Sequence, residues 1–378
     1  MAMNLAAPWV MSASDRGILA LVLQLGNMAA TILICGQDSP FVKATQGSFV
    51  GQLLRFGRLL WPAGLAAACF GAMVGLFVHS WAPRHLVLAV VGVAYVVMSL
   101  LSRGVAVALI SSREWRPYGL HLIVTYGLFV AGVGALVLLR IGLVSAWLGL
   151  YLFGAVMPLI YLVVGLRKGE RGDVDRNVAR TVRRQGVRLL PGSLGNTAML
   201  RADRLLLPAF APMDQLGQYT TVSTLMEIAT WPIKQWADSS LRQWALAGES
   251  LRQRAPLMFA RAIGAVALLS ALIGGAGYLC LSFLFPSGYR GGVVAILPLG
   301  LASLFYATSR VAEGLLIALD APGSVSIAEG VGMAIAVLAY FALIPSFGIA
   351  GAAWGSVVGY LAGAVVALLL LRARFHRG

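Results

Sequence analysis

Gly186–Trp236 reads GVRLLPGSLGNTAMLRADRLLLPAFAPMDQLGQYTTVSTLMEIATWPIKQW. The stretch has the length and apolar content of two consecutive membrane-crossing helices, yet Arg201, Asp203, Arg204, Glu227 and Lys234 stand inside it. A charged side chain at mid-bilayer costs roughly 2.5–3.5 kcal/mol on insertion scales, so five facing lipid would cost on the order of 10–15 kcal/mol. They are therefore expected to face a bundle interior or a water-filled cavity. This helix pair is the place to look for function.

The rest of the chain has the same solvent preference. It is 59% hydrophobic and 11% charged, with a mean hydropathy of +0.84. Uncharged runs long enough to cross a bilayer, about 20 residues each, include Trp61–Pro83, Pro117–Leu139, Ile141–Leu166, Ala262–Tyr289 and Gly330–Leu371. The last is long enough for two spans, with Pro345-Ser346-Phe347-Gly348 as the turn between them. The fold class expected is all-α, a polytopic membrane protein.

The net charge of +15 does not point to nucleic acid, because the basic residues cluster in short segments between apolar runs, above all Arg167–Arg188. Positive residues so placed hold loops in the cytoplasm. Cys35, Cys69 and Cys280 all fall within apolar runs, as small packing residues do, and suggest neither a disulfide framework nor a metal site. His79, His85, His121 and His376 form no metal-spaced set. With no phosphate-binding glycine loop and no serine elbow, no cofactor and no enzymatic activity are expected.

Eleven spans are expected. The first five are Gly17–Gly36, Gly57–Val78, Leu86–Ile110, Pro117–Leu139 and Leu143–Leu166. The other six are Val187–Phe210, Leu216–Trp236, Leu257–Phe285, Val293–Leu319, Val325–Ile344 and Ile349–Leu371. Alternate loops are basic: Gln37–Phe56, Ser111–Arg116, Arg167–Gly186, Ala237–Pro256 and the tail Arg372–Gly378. The opposite set, such as Ala211–Gln215 and Pro345–Gly348, is short and nearly free of Lys and Arg. The C-terminus is accordingly expected in the cytoplasm.

An internal repeat organises these spans. Ser102-Arg103 in the third span matches Ser309-Arg310 in the ninth, and Ala146-Trp147 in the fifth matches Ala353-Trp354 in the eleventh. Asp15-Arg16-Gly17 lines up with Leu216-Gly217 at a similar offset. Under this alignment Val187–Phe210 has an N-terminal partner of which only a tail, about 1–13, is present. The expectation is two pseudo-symmetric six-helix lobes with the first helix largely missing. Residues 1–166 form the N-terminal transmembrane lobe, 167–186 a cytoplasmic basic connector, and 187–378 the C-terminal lobe. An eleven-helix protein with no missing partner is the competing reading.

Within the charged pair, Arg201 and Arg204 are three apart and share a helix face, while Asp203 points elsewhere and needs its own partner. The competing reading is pairing with neighbouring helices, or arginines that snorkel outward. In the next span Thr220, Ser223, Glu227, Thr230, Lys234 and Asp238 recur at three- and four-residue steps, one polar stripe on an apolar helix. Glu227 sits near mid-span, so the stripe is expected to line a cavity. A brace between Lys234 and Glu227 or Asp238 is the alternative. At the repeat offset Gln24 and Asn27 fall on Thr224 and Glu227, so the first half carries an uncharged polar stripe. In repeat-built transporters the substrate site commonly lies near mid-membrane between the halves. Arg310 is the partner of Arg103 in the repeat, and Glu313 three residues on makes a local ion pair the simplest reading.

These residues carry a resemblance. Leu194-Gly195-Asn196, Arg201-Ala202-Asp203-Arg204-Leu205-Leu206 and Leu216-Gly217-Gln218-Tyr219 resemble the seventh-to-eighth helix region of polysaccharide flippases of the Wzx type. These form the polysaccharide transporter branch of the multidrug/oligosaccharidyl-lipid/polysaccharide exporter superfamily. The opening Ser14-Asp15-Arg16-Gly17-Ile18-Leu19 is similar to that family's turn into its second helix. The resemblance implies two lobes around a V-shaped cavity in the bacterial cytoplasmic membrane. It also implies alternating access that moves an undecaprenyl-diphosphate-linked oligosaccharide outward, as for O-antigen or lipopolysaccharide synthesis.

An anionic, hydrated head on a lipid tail needs a cationic cavity open to lipid, with arginine as the natural phosphate partner. Under the resemblance Arg201, Arg204, Lys234 and Arg310 bind substrate, Glu227 and Asp203 couple to a proton or sodium ion, and Gln24, Asn27, Thr220, Ser223 and Thr230 line the cavity. The chain is expected to act as a monomer among membrane lipids. A cation-coupled multidrug antiporter of the same superfamily is the competing class, although its cationic cargo calls for an acidic cavity. A non-transporting, decayed homologue is the third.

Overall fold

The computed structural model describes residues 6–81, 86–112, 115–151, 175–246 and 250–377, with 160, 163 and 167 as single positions. Side chains are described in these ranges except at 39, 63, 67–68, 70–72, 74–93, 115–122, 188–189, 191–200, 238, 242, 250, 322 and 377. The described residues are helical almost throughout and contain no strand.

A 3₁₀ turn at Ala7–Trp9 precedes α1 (Ala13–Ile34), α2 (Asp38–Ala44), α3 (Phe49–Trp81), α4 (Leu86–Ser112) and α5 (Trp115–Leu138). After the connector come α6 (Arg176–Phe210), α7 (Met213–Leu246) and α8 (Ser250–Leu279), which runs into a π-helical turn at Cys280–Leu284. A 3₁₀ segment, Ser287–Ala295, leads to α9 (Ile296–Ala318), α10 (Pro322–Phe347) and α11 (Ile349–Arg377). A helix stands at every span expected from the sequence except Leu143–Leu166, most of which lies outside the described residues.

Six described helical segments are long and apolar enough to cross a bilayer: Ala13–Ile34, Ala94–Ser112, Leu251–Leu284, Ser287–Ala318, Gly323–Phe347 and Ile349–His376. Helix α7 is long but falls outside that set, because Glu227 and the Gln, Thr and Ser residues beside it lower its hydropathy.

Local chemistry sets the helix ends. Ser12 Oγ accepts from the backbone N–H of Asp15 at 3.1 Å and donates to the Asp15 carboxylate at 2.7 Å, which ties down the start of α1. Cys35 and Gly36 adopt positive φ and stop that helix. The N–H of Gly51 is capped by Ser48 Oγ at 3.2 Å, and that of Asn177 by the Asp175 carboxylate at 2.9 Å. The second cap starts the helix earlier than the span expected from Val187. Residues 176–186, read as part of a connector, are the first turns of α6, because Asp175 starts a helix that no proline interrupts before Pro191.

The chain divides into two units, one of Ile18–Leu194 and the other of Met3–Gly17 with Gly195–Gly378. In the first, Ala29, Ala30, Ile34, Phe56, Leu59, Val96, Leu100 and Val182 are buried together, and Phe41 packs on Phe56 with ring centroids 4.9 Å apart and planes tilted by 60°. Helices α7, α8, α9 and α11 build the core of the second around Trp244, Val266, Val311, Leu315 and Ala367. Small residues let α10 and α11 touch: a Cβ on Gly332 would meet the backbone of Gly359 and Gly363 at 3.1–3.3 Å. Close backbone approach through small residues is the usual way membrane helices pack.

The tightest crossing in the second unit is reciprocal. A Cβ on Gly17 of α1 would overlap the carbonyl oxygen of Met213, and one on Gly217 of α7 would overlap that of Ala13. Each glycine thus sits on the first turn of the other helix, four residues past its start. Gly17 and Gly217 are the positions that the sequence repeat aligned. Tyr289 secures the same corner by donating its hydroxyl to the carbonyls of Met11 and Ser12, both at 3.1 Å.

Candidate functional site

Helix α7 supplies one wall of a cavity of about 280 Å³ that lies wholly within the second unit. Ser223, Met226, Glu227, Thr230, Trp231 and Lys234 face it, and the steps of three and four between the polar ones follow one helix face. Arg201, Asp203 and Arg204 enter from α6. The opposite side is less polar: Leu299, Ala302, Ser303 and Tyr306 come from α9, and Ser356 and Tyr360 from α11. The two phenol rings meet edge to face with centroids 5.6 Å apart.

The charges on this wall are organised around Glu227. Its Oε1 accepts from Arg201 Nη1 at 2.9 Å and also from Arg204 Nη2. One carboxylate oxygen therefore holds both guanidinium groups, which share a face of α6 as their spacing of three requires. Glu227 keeps 31% exposure and Arg201 33%, while Arg204 is buried to 6%. Asp203, on the other side of α6, has its own partners: it accepts from the Tyr219 hydroxyl at 2.6 Å and from the Arg204 backbone N–H at 2.8 Å. Tyr219 and Tyr340 both approach the Ser356 hydroxyl, at 3.4 and 3.0 Å, so α7, α10 and α11 meet in one buried network. The excess positive charge is at Lys234. It lines the cavity and, among the described residues, makes no ion pair.

The structure gathers Arg201, Arg204, Lys234, Glu227, Asp203, Ser223 and Thr230 at this cavity. Thr230 reaches it while its hydroxyl donates to the Glu227 carbonyl at 3.0 Å. Thr220, expected on the same wall, is not there. Its hydroxyl back-bonds to the carbonyls of Leu216 at 2.8 Å and Gly217 at 3.1 Å, and the residue is buried. Arg310 is also elsewhere. It pairs with Glu313 at 2.9 Å, lies 3.7 Å from Glu329 on α10, and belongs to an ionic group whose Glu313 also accepts from Ser309. Arg310, expected to bind substrate, does not line this cavity. Gln24 and Asn27 belong to the other unit, where Gln24 is buried and Asn27 exposed. The Asp238 side chain, the last member of the stripe, lies outside the described residues, as do the side chains of Leu194 and Asn196.

Sequence reasoning did not anticipate Trp231, Tyr306, Tyr360 or Ser356. Trp231 has a detectable signal, four residues past Glu227 on a stripe already recognised. The others sit on apolar helices where an aromatic or a serine every few residues is ordinary.

No family model and no curated relative matches the chain. Solved structures do. The chain is similar to a multidrug-resistance MATE family transporter of the MOP superfamily in an inward-facing conformation, with a TM-score of 0.71 and 14% identity over 100% of this chain and 94% of that one. It is also similar to the lipid II flippase MurJ in an inward closed conformation, with a TM-score of 0.65 and 10% identity over 99% and 86%. A third likeness is to a MOP superfamily transporter from Pyrococcus furiosus, whose reversed binding-pocket polarity suggests a different function for it. Its TM-score is 0.54, with 15% identity over 99% of this chain and 91% of that one. The chain has the fold of MOP-superfamily transporters.

Proposed function

We propose that the chain is a multi-pass transporter of the bacterial cytoplasmic membrane, its C-terminus cytoplasmic, that flips an undecaprenyl-diphosphate-linked oligosaccharide outward by alternating access. It acts as a monomer of two pseudo-symmetric lobes. The reciprocal approach of Gly17 and Gly217 supports the pseudo-symmetry. The observation that carries the cargo reading is the sign of the cavity: Arg201, Arg204 and Lys234 against Glu227 and Asp203, with Asp203 turned toward Tyr219. Guanidinium forks match phosphate oxygens, and an ammonium adds a point charge. Ser223, Ser303 and Thr230 supply hydroxyl partners for a sugar. Flux of a lipid-linked oligosaccharide in inverted vesicles tests the reading. Loss of flux in Arg204→Ala supports it, and unchanged flux in both Arg204→Ala and Glu227→Gln removes these residues from the cargo path.

The cavity's aromatic side favours a second reading. Trp231 keeps 56% exposure there, and with Tyr306 and Tyr360 it would hold the flat cation of a drug beside Glu227. Export of a cationic dye by the intact chain, abolished in Trp231→Ala but retained in Arg204→Ala, selects a multidrug antiporter instead.

A further inference from the structure

Glu227 holds cavity-facing donors that an anionic cargo would use. Its Oε1 takes an N–H from Arg201 and another from Arg204, and both guanidinium groups border the cavity. Carboxylate and phosphate oxygens fit the same guanidinium fork. A phosphodiester entering this cavity therefore meets a site already filled by an internal anion, and the two compete for the same N–H groups.

Resting on the cargo reading above, we infer that Glu227 is a displaceable counter-ion: a phosphodiester anion takes its place on Arg201 and Arg204, and the released carboxylate takes up a proton. Anion and proton then bind together, each strengthening the other. The charged and titratable groups that face Glu227 fix this sign. Helix α6 contributes Arg201, Arg204 and Asp203, α7 contributes Lys234, α9 contributes Tyr306 and α11 contributes Tyr360. Both guanidinium groups leave Glu227 when the anion arrives, and Asp203 stays bonded to Tyr219. The two guanidinium groups then balance the dianion, and Lys234 is left to balance two carboxylates, Glu227 and Asp203. Neutralising Glu227 with a proton removes the repulsion.

Two consequences follow from reciprocity of binding free energies. Lower pH tightens anion binding, and anion binding draws a proton from solution. A diphosphate diester carrying two negative charges, moved outward with one proton, transfers one net negative charge per turn. An inside-negative membrane potential then drives export, and an acid exterior opposes it.

The test uses the purified full chain in nanodiscs with two probes, sulfate and a P1-octyl, P2-glucosyl diphosphate diester. Both keep a constant charge between about pH 5 and 8, so any pH dependence belongs to the protein. Binding is followed by calorimetry and proton uptake by an indicator in weak buffer. The expected result is about one proton taken up per diester bound, with affinity rising up to about tenfold for each unit of falling pH. Glu227→Gln should bind more tightly, without pH dependence or proton uptake, and Glu227→Asp should restore both. Binding to the native chain without proton uptake overturns the inference, as does a Glu227→Gln variant that keeps the native pH slope. Sodium-dependent affinity at fixed pH with no proton uptake overturns it equally. If sulfate binds with linked uptake and the diester does not bind, the counter-ion role stands and the cargo reading falls. If neither probe binds, both fall.

Discussion

Arg310 and Glu313 stand three residues apart on α9 and close a 2.9 Å ion pair in which Glu313 is only 5% exposed. Arg201 and Arg204 reach Glu227 from a different helix, 26 and 23 residues earlier in the chain, and Glu227 stays 31% exposed beside a cavity. Both are arginine–glutamate groups within one unit of a membrane protein, and the difference lies in what surrounds them. The α9 pair is reinforced by Ser309 at 2.6 Å and by Glu329 on α10, so its hydrogen-bonding capacity is directed into the protein. The α6–α7 pair leaves part of its carboxylate and of Arg201 facing open space that also contains Lys234. A local pair braces a helix, and a pair made across two helices at a cavity wall is available to a ligand.

Breaking the brace is expected to give the largest effect on stability. Arg310→Ala leaves Glu313 buried without its guanidinium, a change that costs about 3–5 kcal/mol where a buried pair is split. The melting temperature in detergent should fall steeply, while flux per folded molecule stays near the native value. Arg310→Ala combined with Glu313→Gln should recover part of the loss, since no charge is then stranded. A variant that melts normally but loses flux would move Arg310 into the transport path and erase the contrast.

Arg204→Ala tests the other member of the comparison. A hydrogen bond to a charged group contributes about 1.5–3 kcal/mol, so flux should fall roughly tenfold to a hundredfold. The drop in melting temperature should be smaller than for Arg310→Ala, because Glu227 retains Arg201 and contact with the cavity. If the two variants melt alike and transport alike, the clusters are equivalent and the cavity has no special standing.

How far this contrast was legible in the sequence depends on distance along the chain. The stripe of Ser223, Glu227, Thr230 and Lys234 is visible because a helix repeats every 3.6 residues, and the structure puts these four on one cavity wall. Arg310–Glu313 is visible for the same reason. The partnership of Arg201 and Arg204 with Glu227 is invisible, since no periodicity links α6 to α7. Tyr306 and Tyr360 are 54 residues apart, and only the packing of α9 against α11 brings them together. Thr220 fits the stripe equally well but binds its own helix backbone, a choice that depends on how deep the cavity reaches. The repeat was legible in one further respect. Its alignment of Gly17 with Gly217 coincides with a crossing where neither position has room for a Cβ.

That crossing sharpens the comparison, because α7 bears Gly217 at one end and Glu227 farther along the cavity wall. Gly217→Ala forces a methyl into the carbonyl of Ala13, and overpacking of this kind costs about 1–3 kcal/mol. Stability should drop for Gly217→Ala and for Gly17→Ala alike, since the approach is reciprocal. Anion binding at the cavity should weaken only if α7 moves as a rigid rod. Thermal unfolding and sulfate affinity, measured on the same preparations, separate the two responses. An alanine variant at either position with native stability would contradict the close approach.

The smallest effect is expected at Tyr219, which holds the second carboxylate of the cavity. Its hydroxyl donates to Asp203 at 2.6 Å and lies 3.4 Å from Ser356, so it keeps Asp203 turned away from the guanidinium of Arg201. Tyr219→Phe retains the ring and removes one buried hydrogen bond, a loss of about 1–2 kcal/mol. Asp203 would then find its nearest strong donor in Arg204, whose backbone N–H it already holds at 2.8 Å. With two carboxylates competing for the guanidinium groups, an incoming anion has more to displace, and its affinity should fall roughly threefold to tenfold with little change in maximal flux. Asp203→Asn in the same background removes the competitor and should return affinity toward the native value. That rescue distinguishes a positioning role for Tyr219 from a loss of packing, which Asp203→Asn would not repair.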